Sequence, residues 1–203
     1  MPRKKDDQKR KKILDSATKV FARNGFANTK IQDVANECGI AHGTIYLYFK
    51  SKDELFMSIF QDNLSELISY INSEVEKEEN AEKKFRKLIS LQLDIIESNP
   101  DLTKLILIEF PRTGNFLNDR NIDVLSDYID MIINILRVGI EQKIFSIDIK
   151  TEITATMIYA GVQGLATRWL LDGMSYQLKD IEKQIADFFL EGLKHPNNNK
   201  TNK

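Results

Sequence analysis

The most constraining feature of the sequence is the stretch from Thr29 to Leu55, TKIQDVANECGIAHGTIYLYFKSKDEL. Thr29 and Gln32 have the spacing of a capping box, which predicts the start of a short helix. Gly39 predicts the end of that helix, because glycine adopts the left-handed backbone conformation at low cost. A second short helix is predicted from His42. Two short helices joined by a glycine turn form a helix-turn-helix, whose second helix enters the major groove of DNA.

This stretch resembles the DNA-binding domain of the TetR family of bacterial and archaeal repressors. The shared pattern is a glycine turn, then G-T-x-Y-x-Y-F, then K-x-x-L, and it falls on Gly39, Gly43, Thr44, Tyr46, Tyr48, Phe49, Lys52 and Leu55. The preceding FARNGFANTKIQDVA also fits the family. Beyond Leu55 the resemblance is one of length and helical pattern. In TIYLYF and in its layout, the chain is most similar to the branch of acyl-CoA-responsive regulators of fatty-acid degradation.

The resemblance and the side-chain chemistry together indicate the residues that contact DNA. Hydroxyl groups that follow the reading-helix glycine can hydrogen-bond phosphate oxygens, and a lysine at the next helix adds positive charge. Side chains at the start of the reading helix meet base edges. An alternative is that the two tyrosines only pack against neighbouring phenylalanines. The predicted DNA-contacting residues are Thr29, His42, Gly43, Thr44, Tyr46, Tyr48 and Lys52.

The charge of the chain is distributed unevenly. The formal net charge is −1, which alone argues against a nucleic-acid-binding protein. However, residues 1–52 contain 12 basic and 5 acidic residues, whereas the remainder contains 17 basic and 25 acidic residues. Such asymmetry indicates a basic end that meets phosphate and an acidic body that does not.

The predicted fold is all-α, because apolar residues recur at helical spacing along the chain and no alternating run is long enough for a strand. It consists of an N-terminal three-helix helix-turn-helix domain and a C-terminal helical ligand-binding and dimerisation domain. The boundaries are 1–52 for the first domain with its basic arm, 53–195 for the second, and 196–203 for a disordered tail. Further helices are predicted over about 7–24, 101–110, 116–143, 151–171 and 178–193. The inner face of the last helix is predicted to carry Ile181, Ile185, Phe188, Phe189 and Leu193.

The sequence argues against several other classes of protein. No apolar run approaches a membrane span, and the basic start is not followed by the apolar segment typical of a signal peptide. The single cysteine, Cys38, excludes an intramolecular disulfide and is predicted to be a buried spacer in a cytoplasmic protein. The two histidines are His42 and His195, and no metalloprotease, thiol-redox, hydrolase or P-loop spacing occurs. We therefore predict no enzyme activity, no catalytic or metal site and no cofactor.

The resemblance implies two functions for the second domain. Family members dimerise through their last two helices, a role that suits the small residues of 151–171 and the aromatic residues of 178–193. Those small residues would serve equally well for close packing inside one subunit. Family members also bind an inducer among the middle helices, where the candidate contacts are Leu91, Ile95, Ile108, Phe110, Arg112, Phe116, Met157 and Trp169. Packing in the core remains the alternative for each.

The functional prediction is a ligand-responsive transcriptional repressor that binds a palindromic operator as a homodimer. The predicted inducer is a lipophilic molecule such as an acyl-CoA, with Arg112, Arg120 or Arg168 holding an acidic head group. The alternative for these arginines is pairing with nearby acids such as Asp172. Two alternatives for the whole protein stay open: a constitutive or architectural DNA-binding protein whose second domain only dimerises, and a drug-sensing regulator of an efflux gene.

Overall fold

The computed structural model of the protein describes the backbone of residues 2–113 and 119–194, and the side chains of residues 6–113 and 125–194. Within these ranges the chain is helical and contains no strand, which confirms the predicted fold class. The α-helices are α1 (Pro2–Asn24), α2 (Ile31–Cys38), α3 (His42–Ile45), α4 (Lys52–Val75), α5 (Ala81–Ser98), α6 (Pro100–Lys104), α7 (Asp119–Glu141), α8 (Thr151–Leu171) and α9 (Glu182–Leu193). In this described part, no helix is long and apolar enough to cross a membrane.

The chain forms two compact units. The first contains Met1–Ser65 and Asn99–Ile122, and the second contains Glu66–Ser98 and the chain from Asp123 onward. Helix α4 therefore begins in one unit and ends in the other. The domain boundary predicted between residues 52 and 53 coincides with the start of α4 and stays a prediction.

An aromatic cluster forms part of the core of the first unit. The ring centroids of Phe21 and Phe56 are 5.1 Å apart in an edge-on contact, and Phe26 lies 4.5 Å from Phe56. Phe60 stacks on Phe110 with 3.7 Å between the ring centroids. Burying each such side chain contributes about 1.5–3 kcal/mol relative to exposure. The cluster joins α1 and α4 to the segment that follows α6.

The start of α2 differs from the prediction. The helix begins at Ile31, and the Asp33 carboxylate accepts a 2.8 Å hydrogen bond from the backbone N–H of Lys30. Thr29 does not cap the helix, because its hydroxyl donates to the carbonyl of Gly25 at 2.8 Å. The end of the helix is as predicted: Gly39 takes the left-handed conformation with φ of 70°. Cys38 is buried, as predicted.

The segment after α6 is less regular than the single short helix predicted there. Asn99 precedes α6, which has Pro100 at its first position. Leu105–Glu109 then forms a π-helix, and Phe110–Thr113 a 3₁₀ turn. Single π-helical turns are rare and often occur at functional sites.

The second unit packs the end of α4 together with α5, α7, α8 and α9 around an aliphatic core. Its buried side chains include Leu88, Ile89 and Leu93 of α5, Ile132 and Leu136 of α7, Ile158 and Val162 of α8, and Leu190 of α9. An ion pair of 2.7 Å between Arg86 and Asp187 ties α5 to α9. The predicted inward position of Phe188 is wrong, because 74% of this residue is exposed. The buried side of α9 consists of Ala186, Leu190 and Leu193, and Phe188 lies on the opposite side of the helix because it is two positions from both Ala186 and Leu190.

Candidate nucleic-acid interface

Helix α3 is held to the first unit by its apolar side chains and presents its polar ones to solvent. Ile45 is fully buried, and Phe49 after the helix is buried as well. These two residues are four apart and share one face. His42 and Gly43 are exposed, and Tyr46 is 47% exposed with its ring 5.1 Å from that of His42. The structure therefore brings the predicted base-reading residues together on one surface, with Thr44 half-buried beside them.

The surface also contains Leu47, which is not among the residues predicted to contact DNA. This residue is 82% exposed, the largest value among the large apolar residues that the structure describes as exposed. Helical spacing contains the signal for it, because a residue two positions from both Ile45 and Phe49 points away from their shared face. An exposed aliphatic side chain in a major groove can contact a thymine methyl group.

Tyr48 has a protein partner for its hydroxyl group. The hydroxyl donates a 2.7 Å hydrogen bond to the carboxylate of Asp6 on α1. This bond raises the pKa of the Tyr48 hydroxyl above its ordinary value, so the group remains a neutral donor. The predicted contact between Tyr48 and a phosphate therefore competes with Asp6, whose negative charge repels phosphate.

Lys52 is directed into the protein. Its ammonium donates to the carbonyl oxygens of Phe26 and Thr29 at 2.8 and 3.0 Å, and lies 4.4 Å from the centroid of the Phe26 ring. This arrangement fixes the turn between α1 and α2. The predicted phosphate contact of Lys52 stays a prediction, and it would compete with these hydrogen bonds. The predicted DNA contact of Thr29 also stays a prediction, and this residue is only 2% exposed with its hydroxyl donating inside the unit.

Two charged residues near α6 contact the end of α1 and the turn that follows it. Lys104 donates from Nζ to the carbonyl oxygen of Ala22 at 2.6 Å. The carboxylate of Glu109 accepts a 3.0 Å hydrogen bond from the backbone N–H of Phe26. Gly25 lies beside this carboxylate, and a Cβ there would come within 3.3 Å of it. These contacts link the π-helical segment to the helix-turn-helix, and sequence periodicity gives no signal for them.

Comparison with protein families agrees with this geometry. Residues 13–59 match the family of bacterial regulatory proteins of the tetR type, and residues 60–192 match the C-terminal region of YsiA-like proteins. The chain belongs to the TetR family. Its homologues in this family are transcriptional regulators and not enzymes, and their helix-turn-helix binds DNA.

Known transcriptional regulators match nearly the whole length of this chain. The fatty acid metabolism regulator protein of Bacillus subtilis (strain 168) is 24% identical over 189 residues, which cover 92% of this chain and 97% of that protein. The structure of the fatty acid degradation regulator FadR from Bacillus halodurans has a TM-score of 0.86 at 26% identity, covering 92% and 97% of the two chains. FadR from Bacillus subtilis in complex with stearoyl-CoA shares the fold, with a TM-score of 0.84 at 23% identity over 90% and 98% of the chains.

The residues predicted to contact an inducer lie in both units. Ile108, Phe110 and Arg112 belong to the first, and Leu91, Ile95, Met157 and Trp169 to the second. Phe116 and the side chain of Arg120 lie outside the described residues. Leu91, Phe110 and Trp169 are buried.

The structure shows the surroundings of three of the residues predicted to contact an inducer. Met157 is 65% exposed on the outer side of α8, so its predicted ligand contact stays a prediction. Trp169 is buried, but its indole N–H donates to the carbonyl of Tyr176 at 2.8 Å, which gives it a structural role. The guanidinium of Arg168 pairs with Asp172 at 2.7 Å, which matches the alternative considered for the arginines.

A second exposed surface, the α8–α9 face, consists of Ile153, Met157, Gly164 and Leu171 of α8 and Phe188 of α9, all exposed. The small residues of α8 divide between two roles. Gly161 is exposed and allows close approach of α9, since a Cβ there would meet the Phe189 ring at 2.9 Å. Gly164 has open space around it, which suits a partner that approaches from outside.

Proposed function

We propose that the protein is a homodimeric repressor that binds a palindromic operator and releases it when a long apolar inducer, such as an acyl-CoA, binds the second unit. It acts in the cytoplasm and needs no cofactor. The exposed surface of α3 carries the proposal, because it holds His42, Gly43 and Tyr46 clear of the core in a fold whose relatives bind DNA through this element.

The residues of the α3 surface have two different proposed roles: some position the protein on the DNA backbone, and one contacts base edges. The Tyr46 hydroxyl and the neighbouring Thr44 hydroxyl are suited to phosphate oxygens, which fix the protein on the duplex without reading sequence. His42 stands at the start of the reading helix, where side chains meet base edges. His42→Ala is therefore expected to change which sequences are preferred.

Dimer formation is supported by the α8–α9 face. A palindromic operator needs two reading helices about 34–36 Å apart, which one chain cannot provide. The α8–α9 face exposes aliphatic and aromatic side chains around the open Gly164, a composition that suits a self-complementary interface. A second copy of the chain is the occupant we propose for it.

An apolar inducer is supported by the interior of the second unit and by one relative. The buried side chains of α5, α7 and α8 in the described part of that unit are mostly Leu, Ile and Val. FadR from Bacillus subtilis, which shares the fold, binds stearoyl-CoA. The described arginines of this unit pair with acids at the surface, as Arg86 does with Asp187 and Arg137 with Glu152.

Signal transmission to α3 is proposed to pass through the segment Pro100–Thr113. This segment follows α5 in the chain and precedes α7. A ligand that shifts these two helices would therefore displace the segment. Lys104 and Glu109 attach the segment to Ala22 and Phe26 beside the helix-turn-helix. A ligand that favours the shifted arrangement would move the paired reading helices away from operator spacing and release DNA.

The proposal is tested with an operator selected from a library of random duplexes by repeated binding to the full chain. Fluorescence anisotropy of the labelled operator is then followed while short-, medium- and long-chain acyl-CoAs are added, with free CoA as the control. We expect long-chain acyl-CoAs to release the operator at the lowest concentration and free CoA to have no effect.

The outcome also separates the alternatives. Release by cationic aromatic drugs without release by any acyl-CoA would place the protein among drug-sensing regulators. No release by either class would favour the constitutive DNA-binding protein. Failure to select any duplex would contradict the proposal as a whole.

A further inference from the structure

One buried polar group in the second unit has no protein partner. Tyr128 of α7 is 7% exposed, and its hydroxyl is the one buried side-chain N or O atom in the described part of the chain that lacks a hydrogen-bond partner. A buried hydroxyl without a partner destabilises a protein, and phenylalanine in its place would avoid this cost. Other buried donors here are satisfied, as the indole N–H of Trp169 is by the Tyr176 carbonyl.

The surroundings of Tyr128 are apolar and aromatic. Its ring lies 5.8 Å from the ring of Tyr159 on α8, in an edge-on arrangement. Met131, Ile132 and Ile135, which are three, four and seven positions further along α7, are also buried and share its face. Burial raises the pKa of Tyr128 far above its ordinary value, and the nearby Tyr159 adds to the effect. The hydroxyl therefore remains a neutral hydrogen-bond donor throughout the physiological pH range.

We propose that the Tyr128 hydroxyl donates a hydrogen bond to an uncharged carbonyl oxygen of an otherwise apolar ligand that is held between α7 and α8. The role rests on the proposed function, in which an inducer enters the second unit. For an acyl-CoA, the acceptor is the thioester carbonyl.

The chemistry of the site selects an uncharged acceptor over a carboxylate. A carboxylate placed among apolar side chains needs a positive partner, because an unpaired buried charge is strongly destabilising. The described arginines of this unit, Arg86, Arg137 and Arg168, are each paired with an acid at the surface. A single neutral phenol matches a thioester, ester or amide carbonyl, and this distinguishes an acyl thioester from a free fatty acid.

Two variants and two ligands test the inference. Tyr128→Phe removes the hydroxyl and keeps the ring, and Tyr159→Phe is the matched control on the neighbouring helix. Palmitoyl-CoA is compared with its S-hexadecyl thioether analogue, which lacks the carbonyl oxygen. Binding to the full chain is measured by calorimetry, and thermal unfolding without ligand is measured alongside.

We expect Tyr128→Phe to weaken palmitoyl-CoA binding about fivefold to tenfold while thioether binding changes less than about twofold. The same variant keeps or raises the unfolding temperature, because it removes an unsatisfied group. Tyr159→Phe is expected to change neither affinity beyond about twofold. If Tyr128→Phe leaves palmitoyl-CoA binding unchanged, or weakens the binding of both ligands equally, the role of Tyr128 is overturned. This outcome does not contradict the proposed inducer class. Failure of the wild-type protein to bind either compound would overturn the proposed inducer class and this inference with it.

Discussion

The α3 surface and the α8–α9 face both expose large apolar side chains, but they differ in what surrounds them. On α3, Leu47 and Tyr46 stand beside His42 and a threonine hydroxyl, so the surface offers hydrogen bonds together with apolar contact. The α8–α9 face offers aliphatic side chains and Phe188 around an open glycine. The first composition suits base edges and phosphates, and the second suits an apolar protein surface.

The largest expected effect comes from placing a charge on the α8–α9 face. Phe188→Asp is expected to convert a dimer into a monomer, because a carboxylate buried in an apolar interface has no partner. Operator affinity should fall by at least about 100-fold, since one chain reaches only one half-site. Light scattering and operator anisotropy measure the two effects.

Ile147→Asp is the matched control for this prediction. Ile147 is 76% exposed, close to the 74% of Phe188, but it lies in the connection before α8 and outside the α8–α9 face. The control variant should remain a dimer with unchanged operator affinity. A Phe188→Asp protein that stays dimeric would remove the distinction between the two surfaces.

The next prediction concerns Lys52, whose ammonium contacts the turn between α1 and α2. Lys52→Met should destabilise the first unit by about 2 kcal/mol, because the carbonyls of Phe26 and Thr29 lose a charged donor. Urea unfolding followed by circular dichroism measures this loss. Lys50→Met is the control, since Lys50 is exposed and the substitution removes the same charge.

The salt dependence of operator binding decides between the two roles of Lys52. If the lysine is structural, both variants should have the same slope of log affinity against log salt. If it binds phosphate, Lys52→Met should lower the slope by about one unit more than Lys50→Met, with little change in stability. That second outcome would establish the contact between Lys52 and a DNA phosphate that the family resemblance implies.

The smallest effects are expected at the hydroxyl groups of the α3 surface. Tyr46→Phe should weaken binding to all duplexes by about threefold to tenfold, as expected for one lost hydrogen bond to a charged group.

Asp6→Asn should strengthen binding by about twofold, because it removes a negative charge beside the phosphates and weakens the hydrogen bond that the Tyr48 hydroxyl donates to residue 6. Anisotropy against selected and scrambled duplexes measures both. Weaker binding by Asp6→Asn would show that Asp6 positions Tyr48 for DNA.

Much of the helix-turn-helix could be predicted because its signals are local. Gly39 determines where α2 ends, and the four-residue spacing of Ile45 and Phe49 determines which side of α3 is buried. The same reasoning located α8, whose bounds of Thr151–Leu171 match the prediction. Local capping and helical periodicity depend on residues only a few positions apart, so they can be read from the sequence directly.

The errors arise where distant contacts or the packing of neighbouring helices decide the outcome. The direction of Lys52 depends on carbonyls that the turn after α1 brings together, which residue spacing does not reveal. Helical spacing places Phe188 near Ile185, but the buried residues of α9 are Ala186, Leu190 and Leu193. Phe188 is two positions from both Ala186 and Leu190, so it lies on the opposite side of the helix. The unpartnered hydroxyl of Tyr128 likewise becomes visible only once burial is known.

Hydrogen–deuterium exchange of the full chain, with and without its selected operator, tests the contrast between the two surfaces most directly. We predict that the operator slows exchange over residues 42–48 and leaves residues 153–171 and 185–192 unchanged, because a second copy already covers the α8–α9 face in the free protein. Slower exchange over α8 and α9 with no change over residues 42–48 would contradict the assignment of DNA to α3 and of the second copy to the α8–α9 face.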